Sequence, residues 1–185
     1  MRILAVSGSL RESSFNTSLL RAALEAAPDG VELELWDGIG ELPLYDEDLE
    51  DDAPVSVQRL RDAWAAADAI LFATPEYNGS VPGGLKNAID WASRPKLEGV
   101  LRNKTVAVVG ASTGQFGALW AQQDLKRILG IAGARVVGTE IPVSRAHERF
   151  DSEGRLLDGE VFEQLRLHLT TLASEAVAAP ERVVA

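Results

Sequence analysis

Three segments of this sequence combine small, polar and glycine residues in the manner of ligand-binding loops. The first runs from Ser7 to Thr17 and reads SGSLRESSFNT, with several hydroxyl side chains around Arg11. Serine hydroxyls can converge on an anion, and an arginine adds a charge-assisted hydrogen bond to a phosphate. A helix that begins inside the segment adds unsatisfied N–H groups and a partial positive charge. Helix capping alone would need only one such side chain, so the segment favours a monophosphate site.

Two further segments could hold a flat ring. The second, Thr74 to Gly84, reads TPEYNGSVPGG and is rigid and close-fitting, because it is rich in proline and glycine. A turn leading to Pro82 as the first residue of a helix explains part of this pattern. The turn does not account for Glu76, Tyr77 and Asn78, which could contact a ligand. The third segment, Gly110 to Gly117, permits close backbone approach but is a weak signal by itself.

A phosphate site beside two ring-binding loops predicts flavin mononucleotide, FMN, as the cofactor. The first segment matches neither GxGxxG nor GxxxxGK[ST], so neither a dinucleotide fingerprint nor a P-loop is supported. No side chain of the protein need act as a nucleophile, because the flavin carries the hydride at its N5 atom. We therefore expect no catalytic side chain, and we expect the cofactor to contact the three segments.

Strands and helices alternate along the chain and must position these segments. Apolar runs predict strands, and helical spacing of apolar residues predicts helices. The predicted strands are Arg2–Val6, Val31–Trp36, Ala69–Ala73 and Thr105–Gly110, with Ala134–Gly138 and Thr139–Val143 as candidates of which only one is expected in the core. The predicted helices are Phe15–Ala27, Val55–Ala67, Pro82–Ser93, Ala118–Leu129 and Glu160–Ala178.

This alternation predicts an α/β protein with about five parallel strands and helices on both faces of a doubly wound sheet. Ligands bind such sheets at the carboxyl ends of the strands, where all three segments fall. Periodicity leaves the flavodoxin and Rossmann strand orders both open. We expect one domain over residues 1–178 and a loose tail over 179–185.

The composition excludes several kinds of chemistry. The chain has no cysteine, so disulfides, thiolate catalysis and cysteine-ligated metals are excluded. His147 and His168 lie in no metal-ligand spacing, and both are expected on the surface rather than in a metal site. The acidic run over residues 46–52 is interpreted as a solvated loop.

A net charge of −10 argues against a nucleic-acid partner, which requires clustered lysine and arginine. No apolar run approaches the roughly 20 residues that span a bilayer, so no membrane partner is expected. The N-terminal residues lack the features of a signal peptide, and the expected location is cytoplasmic.

The segments GSLRESSFN and PEYNGSVPGGLKNAIDW resemble the NADPH-dependent FMN reductase family, whose members include bacterial quinone and chromate reductases and FMN-dependent azoreductases. The resemblance runs from the first strand through the helix beginning at Ala118. It implies the flavodoxin-like fold, noncovalent FMN, NADPH or NADH as co-substrate, and a homodimer or homotetramer. The acceptors it implies are small molecules: quinones, azo compounds, metal oxyanions or free flavin.

The resemblance also implies which residues contact the cofactor. Those of the first segment would surround the phosphate, those of the second would line the ring and ribityl chain, and those of the third would close the other side of the ring. The set is Ser9, Leu10, Arg11, Ser14, Phe15, Asn16, Pro75, Glu76, Tyr77, Asn78, Ser112 and Gly114. The helix containing Lys86, Asn87 and Asp90 is expected to serve packing and subunit contacts.

The sequence departs from the family pattern after Ser112. Relatives often carry an arginine where this chain has Trp120, and a glycine where it has Ala118. In relatives this stretch lies near the nicotinamide and subunit contacts, so the departure bears on nucleotide preference and assembly.

Two other functions stay open at this point. A flavodoxin-type carrier would bind FMN without oxidising NAD(P)H, and the acidic charge suits it. Tyr77 and Phe116 are, however, the only aromatic residues placed to shield a flavin as a carrier does. A binding module would use the anion loop for another phosphorylated ligand without redox chemistry.

Overall fold

The computed structural model describes residues 1–178. Its strands are β1 (Arg2–Ser7), β2 (Glu32–Trp36), β3 (Ala69–Ala73), β4 (Thr105–Ala111), β5 (Arg135–Val136) and β6 (Pro142–Val143). Its helices are α1 (Phe15–Glu25), α2 (Val55–Ala66), α3 (Gly83–Ala92), α4 (Leu119–Ile131), α5 (Ala146–Arg149) and α6 (Gly159–Val177). The sequence pattern did not indicate the short helix α5. The expected tail over 179–185 lies outside the described residues.

The strands form one parallel sheet in the order β2-β1-β3-β4-β5, with β6 also paired to β4. This order is the flavodoxin type, which confirms the predicted fold and resolves the choice that periodicity left open. The chain passes from β1 outward to β2 and then returns to the other side of β1 for β3. The switch point, where adjacent strands lead their connections in opposite directions, therefore lies between β1 and β3.

Alternate residues of the central strands pack against helices on opposite faces of the sheet. Ile3 and Ala5 of β1 contribute to a buried cluster with α1 and α6. Leu4 and Val6 face a second cluster with α2, α3 and α4. Strands covered on both faces must be apolar throughout, which explains the unbroken apolar runs of β1, β3 and β4.

The fifth position of the sheet differs from the expectation of a single core strand. Both candidates pair with β4, because Arg135 aligns with Thr105 and Pro142 aligns with Gly110. The chain between the two short strands leaves the sheet at Gly138, whose φ is 75°. The side-chain oxygen of Gln122 accepts a hydrogen bond from the Ile141 N–H at 3.0 Å and compensates for the interrupted ladder.

The prediction that both histidines lie on the surface is wrong for His168. His147 is exposed, whereas His168 on α6 is buried beneath the interruption in the fifth strand. A Cβ atom on Gly138 would lie 2.4 Å from the His168 ring, so glycine is required where the strand passes over it. Burial lowers the pKa of His168 to about 4, aided by the nearby positive charge of Lys126 and opposed by Glu140.

The acidic segment between β2 and α2 is a solvated loop, as predicted, with two short 3₁₀ helices, Gly38–Glu41 and Glu47–Leu49. Its base is fixed by α3. Asn87 donates a hydrogen bond to the Pro43 carbonyl at 2.8 Å and accepts one from the Tyr45 N–H at 2.7 Å.

Within residues 1–178, no helix has the length and apolarity needed to cross a membrane. No cluster of three or more His, Asp or Glu side chains in that range could hold a metal ion.

Candidate functional site

The three segments singled out from the sequence meet at the carboxyl ends of β1, β3 and β4, beside the switch point. They enclose a cavity of about 120 Å³. Its lining residues are Ser9, Arg11, Ser14, Phe15, Asn16, Pro75, Glu76, Tyr77, Ala111, Ser112 and Thr113. The parallel sheet thus brings together segments separated by about a hundred residues of chain. Of the expected contact residues, Leu10, Asn78 and Gly114 lie outside this lining.

The N-terminus of α1 points into the cavity and presents N–H groups that lack hydrogen-bond partners. Ser14 caps the helix by accepting a hydrogen bond from the Thr17 N–H at 3.3 Å. Within the described chain, the N–H groups of Phe15 and Asn16 have no hydrogen-bond partner. The first N–H groups of a helix need an external acceptor, and the helix dipole favours a negative one. This end of the cavity is therefore suited to a phosphate.

The chain between β1 and α1 curls around this end of the cavity. The Ser9 N–H donates to the Ser7 hydroxyl at 3.3 Å, and the Arg11 N–H donates to the Ser9 hydroxyl at 3.4 Å. The Arg11 guanidinium is exposed and donates to the Ser13 carbonyl at 3.2 Å. Arg11 is held at the rim only by this bond and a second, 3.4 Å long, to the Ser13 hydroxyl, and it can turn toward an anion.

Asn16 lines the cavity, but its side chain is engaged elsewhere. The amide group donates to the Ala111 carbonyl at 3.0 Å, and its oxygen accepts from the Ala111 N–H at 2.9 Å. Both bonds are buried and join α1 to the end of β4. The side chain thus fixes the distance between the first and third segments, and only the backbone N–H of Asn16 faces a ligand.

The second segment is a tight hairpin. Tyr77 and Ser80 exchange two backbone hydrogen bonds, each 3.1 Å long. Asn78 and Gly79 between them have φ values of 52° and 76°, the conformation of a type I′ turn. The turn accounts for Asn78, because an Asn-Gly pair is the sequence typical of a type I′ turn. Tyr77 remains half exposed beside the cavity.

Glu76 has a role that its local sequence does not indicate. Its carboxylate accepts a hydrogen bond from the Ala121 N–H at 3.1 Å, in the first turn of α4. Ala118, which precedes that helix with a φ of 60°, has no side chain that could cap it. Glu76 supplies the missing cap and binds the hairpin to α4.

The third segment rests on β6 and α5. The Ser112 N–H donates to the Val143 carbonyl at 3.0 Å, and the Ser112 carbonyl accepts from the Ala146 N–H at 3.0 Å. Gly117 has a φ of 57°, and a Cβ there would lie 2.5 Å from the backbone of Pro142. Its glycine is required by both conformation and space.

A larger cavity, about 530 Å³, lies between α3 and α4 and contains none of the expected contact residues. Cations on its wall are partly neutralised within the protein, as in the ion pairs Lys86–Asp90 and Arg127–Asp124. The smaller cavity, where unpartnered donors converge, is therefore the candidate site.

The chain is similar to known proteins along most of its length. The model of the NADPH-dependent FMN reductase family matches residues 1–148. An NAD(P)H-dependent FMN reductase from Pseudomonas aeruginosa is 44% identical over 174 residues, covering 93% of both chains. A 2-hydroxy-1,4-benzoquinone reductase from Burkholderia sp. is 36% identical, covering 96% of this chain and 95% of that protein.

Among solved structures, the chain is similar to FerB, a flavoenzyme NAD(P)H:(acceptor) oxidoreductase from Paracoccus denitrificans. The two superpose with a TM-score of 0.86 at 36% sequence identity, covering 96% of this chain and 98% of that one. The fold, the family model and the relatives all indicate the same family. The chain belongs to the NADPH-dependent FMN reductase family.

Proposed function

We propose that this protein is an FMN-dependent oxidoreductase that takes electrons from NAD(P)H and delivers them to a small-molecule acceptor. The observation that carries the proposal is the pair of unpartnered N–H groups, on Phe15 and Asn16, at the wall of a cavity at the switch point. A helix N-terminus in this position binds the phosphate of a mononucleotide. Membership of the family supports NAD(P)H as the electron donor.

The described residues fit FMN. The cavity, at about 120 Å³, is smaller than the roughly 300–1,000 Å³ typical of small-molecule sites, and its size suits a phosphate. Ser9, Ser14 and Arg11 would hold that phosphate together with the helix N–H groups. Pro75 and Tyr77 would face the ring from the second segment.

When bound, FMN supplies the redox chemistry, because its ring can accept a hydride and pass the electrons on. The third segment, with Ser112, would close the other side of the ring. All the expected cofactor contacts stay predictions, and for Leu10, Asn78 and Gly114, which lie outside the cavity lining, only the family resemblance supports them. Leu10 is 67% exposed, and the Gly114 N–H donates to the Ser112 hydroxyl at 3.1 Å.

Mixing the purified protein with NADPH under anaerobic conditions tests the proposal. We expect a yellow protein whose flavin absorbance bleaches on mixing and returns when an acceptor is added. A yellow protein that stays oxidised with both NADPH and NADH would instead indicate an electron carrier. A colourless protein that takes up no added FMN would contradict both flavin functions.

Replacing Arg11 with alanine tests the phosphate site. We expect FMN binding to weaken by about 1.5–3 kcal/mol, the contribution of a hydrogen bond to a charged group. Fluorescence titration of apoprotein with FMN measures the change. Arg59→Ala is the matched control, because Arg59 is an exposed arginine on α2 that pairs with Glu41. If the Arg11 and Arg59 variants bound FMN with equal affinity, Arg11 would not be part of the phosphate site.

A cytoplasmic location and a homodimeric or homotetrameric state stay predictions. The family resemblance supports the oligomer, and size-exclusion chromatography with light scattering would measure it. Steady-state kinetics with both nucleotides would measure the preference for NADPH or NADH.

A further inference from the structure

A second cavity, of about 360 Å³, adjoins the candidate site at the carboxyl ends of β1 and β2. Ser9 and Arg11 line both cavities, so the two meet at the first segment. The volume of this β2 cavity lies within the roughly 300–1,000 Å³ that is typical of small-molecule sites. The β2 cavity therefore has room for a further ligand group beside the phosphate of the cofactor.

Within the part of the chain that the structure describes, two arginines of the β2 cavity have no acidic partner. Arg11 and Arg21 both line it, and neither takes part in an ion pair. Exposed arginines elsewhere, such as Arg59 and Arg166, are paired with glutamates. In a chain with a net charge of −10, arginines without an acidic partner are available to an external anion.

The β2 cavity also contains a carboxylate that can accept hydrogen bonds from a sugar. Asp37 directly follows the last residue of β2 and lines the cavity, and its side chain makes no capping hydrogen bond to the 3₁₀ helix that it precedes. In doubly wound sheets that bind adenine dinucleotides, an acidic side chain in this region accepts from the ribose hydroxyls. The other acid of the lining, Glu12, is exposed, so solvent and salt screen its charge.

Trp36 adds an aromatic side chain to the lining of the β2 cavity. Its ring packs edge to face on the buried ring of Trp64, with centroids 5.9 Å apart and planes at 78°. A Cβ atom on Gly38 would lie 2.4 Å from the Trp36 ring, so glycine leaves the space that the ring occupies. The ring is held by these neighbours, and a purine can stack on an aromatic ring at little cost in reorganisation.

We propose that the β2 cavity binds an adenosine 5′-phosphate group. Arg21 binds the phosphate, Asp37 accepts from the ribose hydroxyls, and Trp36 contacts the adenine. This inference rests on the proposed function, because the NAD(P)H co-substrate carries such a group. Arg11 lies between the two cavities, where its charge offsets the repulsion between this phosphate and that of FMN. FAD carries the same group, and the experiment distinguishes the two sources.

Calorimetric titration of the FMN-loaded protein with AMP tests the site without any electron transfer. We expect the wild type to bind AMP, and we expect Arg21→Ala to raise the Kd about tenfold or more, because a hydrogen bond to a charged group is lost. Arg166→Ala is the matched control, since Arg166 is an exposed arginine on α6 that pairs with Glu163. The control should keep the wild-type Kd.

Replacing Asp37 with alanine tests the contact with the ribose. The Kd for AMP should rise about tenfold, because a hydrogen bond to a carboxylate is lost. Binding of 2′,3′-dideoxy-AMP, which has no ribose hydroxyls, should not weaken. Equal weakening of both nucleotides would indicate a merely structural effect and would overturn the assignment of Asp37.

Competition identifies the source of the group. If AMP raises the KM for NADPH and leaves kcat unchanged, the β2 cavity holds the adenosine half of the co-substrate. If AMP leaves that KM unchanged but blocks uptake of FAD by the apoprotein, the group belongs to FAD, and the site stands.

Two results would overturn the site: no binding of AMP to the wild type, or equal Kd values for the Arg21 and Arg166 variants. Failure of the proposed function is distinguishable from both, because it appears as bound FMN that NAD(P)H does not bleach.

Discussion

Asn16→Ala is expected to lower the free energy of unfolding by about 2–6 kcal/mol, a large fraction of the stability of a typical domain. The Asn16 side chain makes both buried hydrogen bonds to the backbone of Ala111. Alanine would leave the Ala111 N–H and carbonyl without partners, and each unsatisfied buried group costs about 1–3 kcal/mol. Binding of FMN should weaken as well, because α1 and the end of β4 would no longer be held in register.

Urea unfolding with and without added FMN measures both effects. Glu25→Ala is the control, because Glu25 is an exposed residue at the far end of the same helix. Its change should stay within about 0.5 kcal/mol. A loss for Asn16→Ala no larger than that of the control would mean that the two bonds do not stabilise the fold.

His168→Leu is expected to remove a pH dependence of stability in weak acid. In the folded protein the pKa of His168 is lowered from 6.5 to about 4. The unfolded chain therefore binds more protons between these values, and stability falls as the pH falls through that window. The shift corresponds to a contribution of about 3 kcal/mol to the free energy of unfolding. This contribution is present in full above the unfolded pKa of 6.5 and is lost by about pH 4.

Urea unfolding at several pH values between 4 and 6.5 measures this slope. The window lies above the depressed pKa values of carboxyl groups such as Asp124 and Asp158, which are lowered by hydrogen bonds and neighbouring arginines. In the leucine variant the slope should flatten. His147→Leu removes the exposed histidine and should keep the wild-type slope. A leucine variant with the wild-type slope would show that another group takes up the proton.

The fold was predictable because its signals are local. The apolar runs of β1, β3 and β4 follow from burial on both faces, and helical spacing follows from amphipathic packing. The strand order needed more than periodicity, and the motif GSLRESSFN with its family resemblance supplied it. The third segment was the weakest signal, because its support comes from β6 and α5, more than twenty residues further along the chain.

The sequence indicated the three segments that line the cavity, but not the hydrogen bonds that individual side chains make there. Asn78 is expected to face a ring, which stays a prediction, and its Asn-Gly pair also forms the turn that local chemistry favours. Glu76 was expected beside the flavin, and it lines the cavity while it caps α4 from another segment. A cap supplied from 45 residues away leaves no trace in the local pattern.

The first segment, Ser7 to Thr17, illustrates the same division. By itself the sequence determined that Ser7 to Thr17 joins a strand to a helix and is rich in groups that bind anions, because these properties depend on neighbouring residues. Only the tertiary structure decided that Asn16 bonds to Ala111, 95 residues away, and that His168 is buried under Gly138. Hydrogen bonding and burial between distant residues depend on how the elements dock, which a local pattern does not encode.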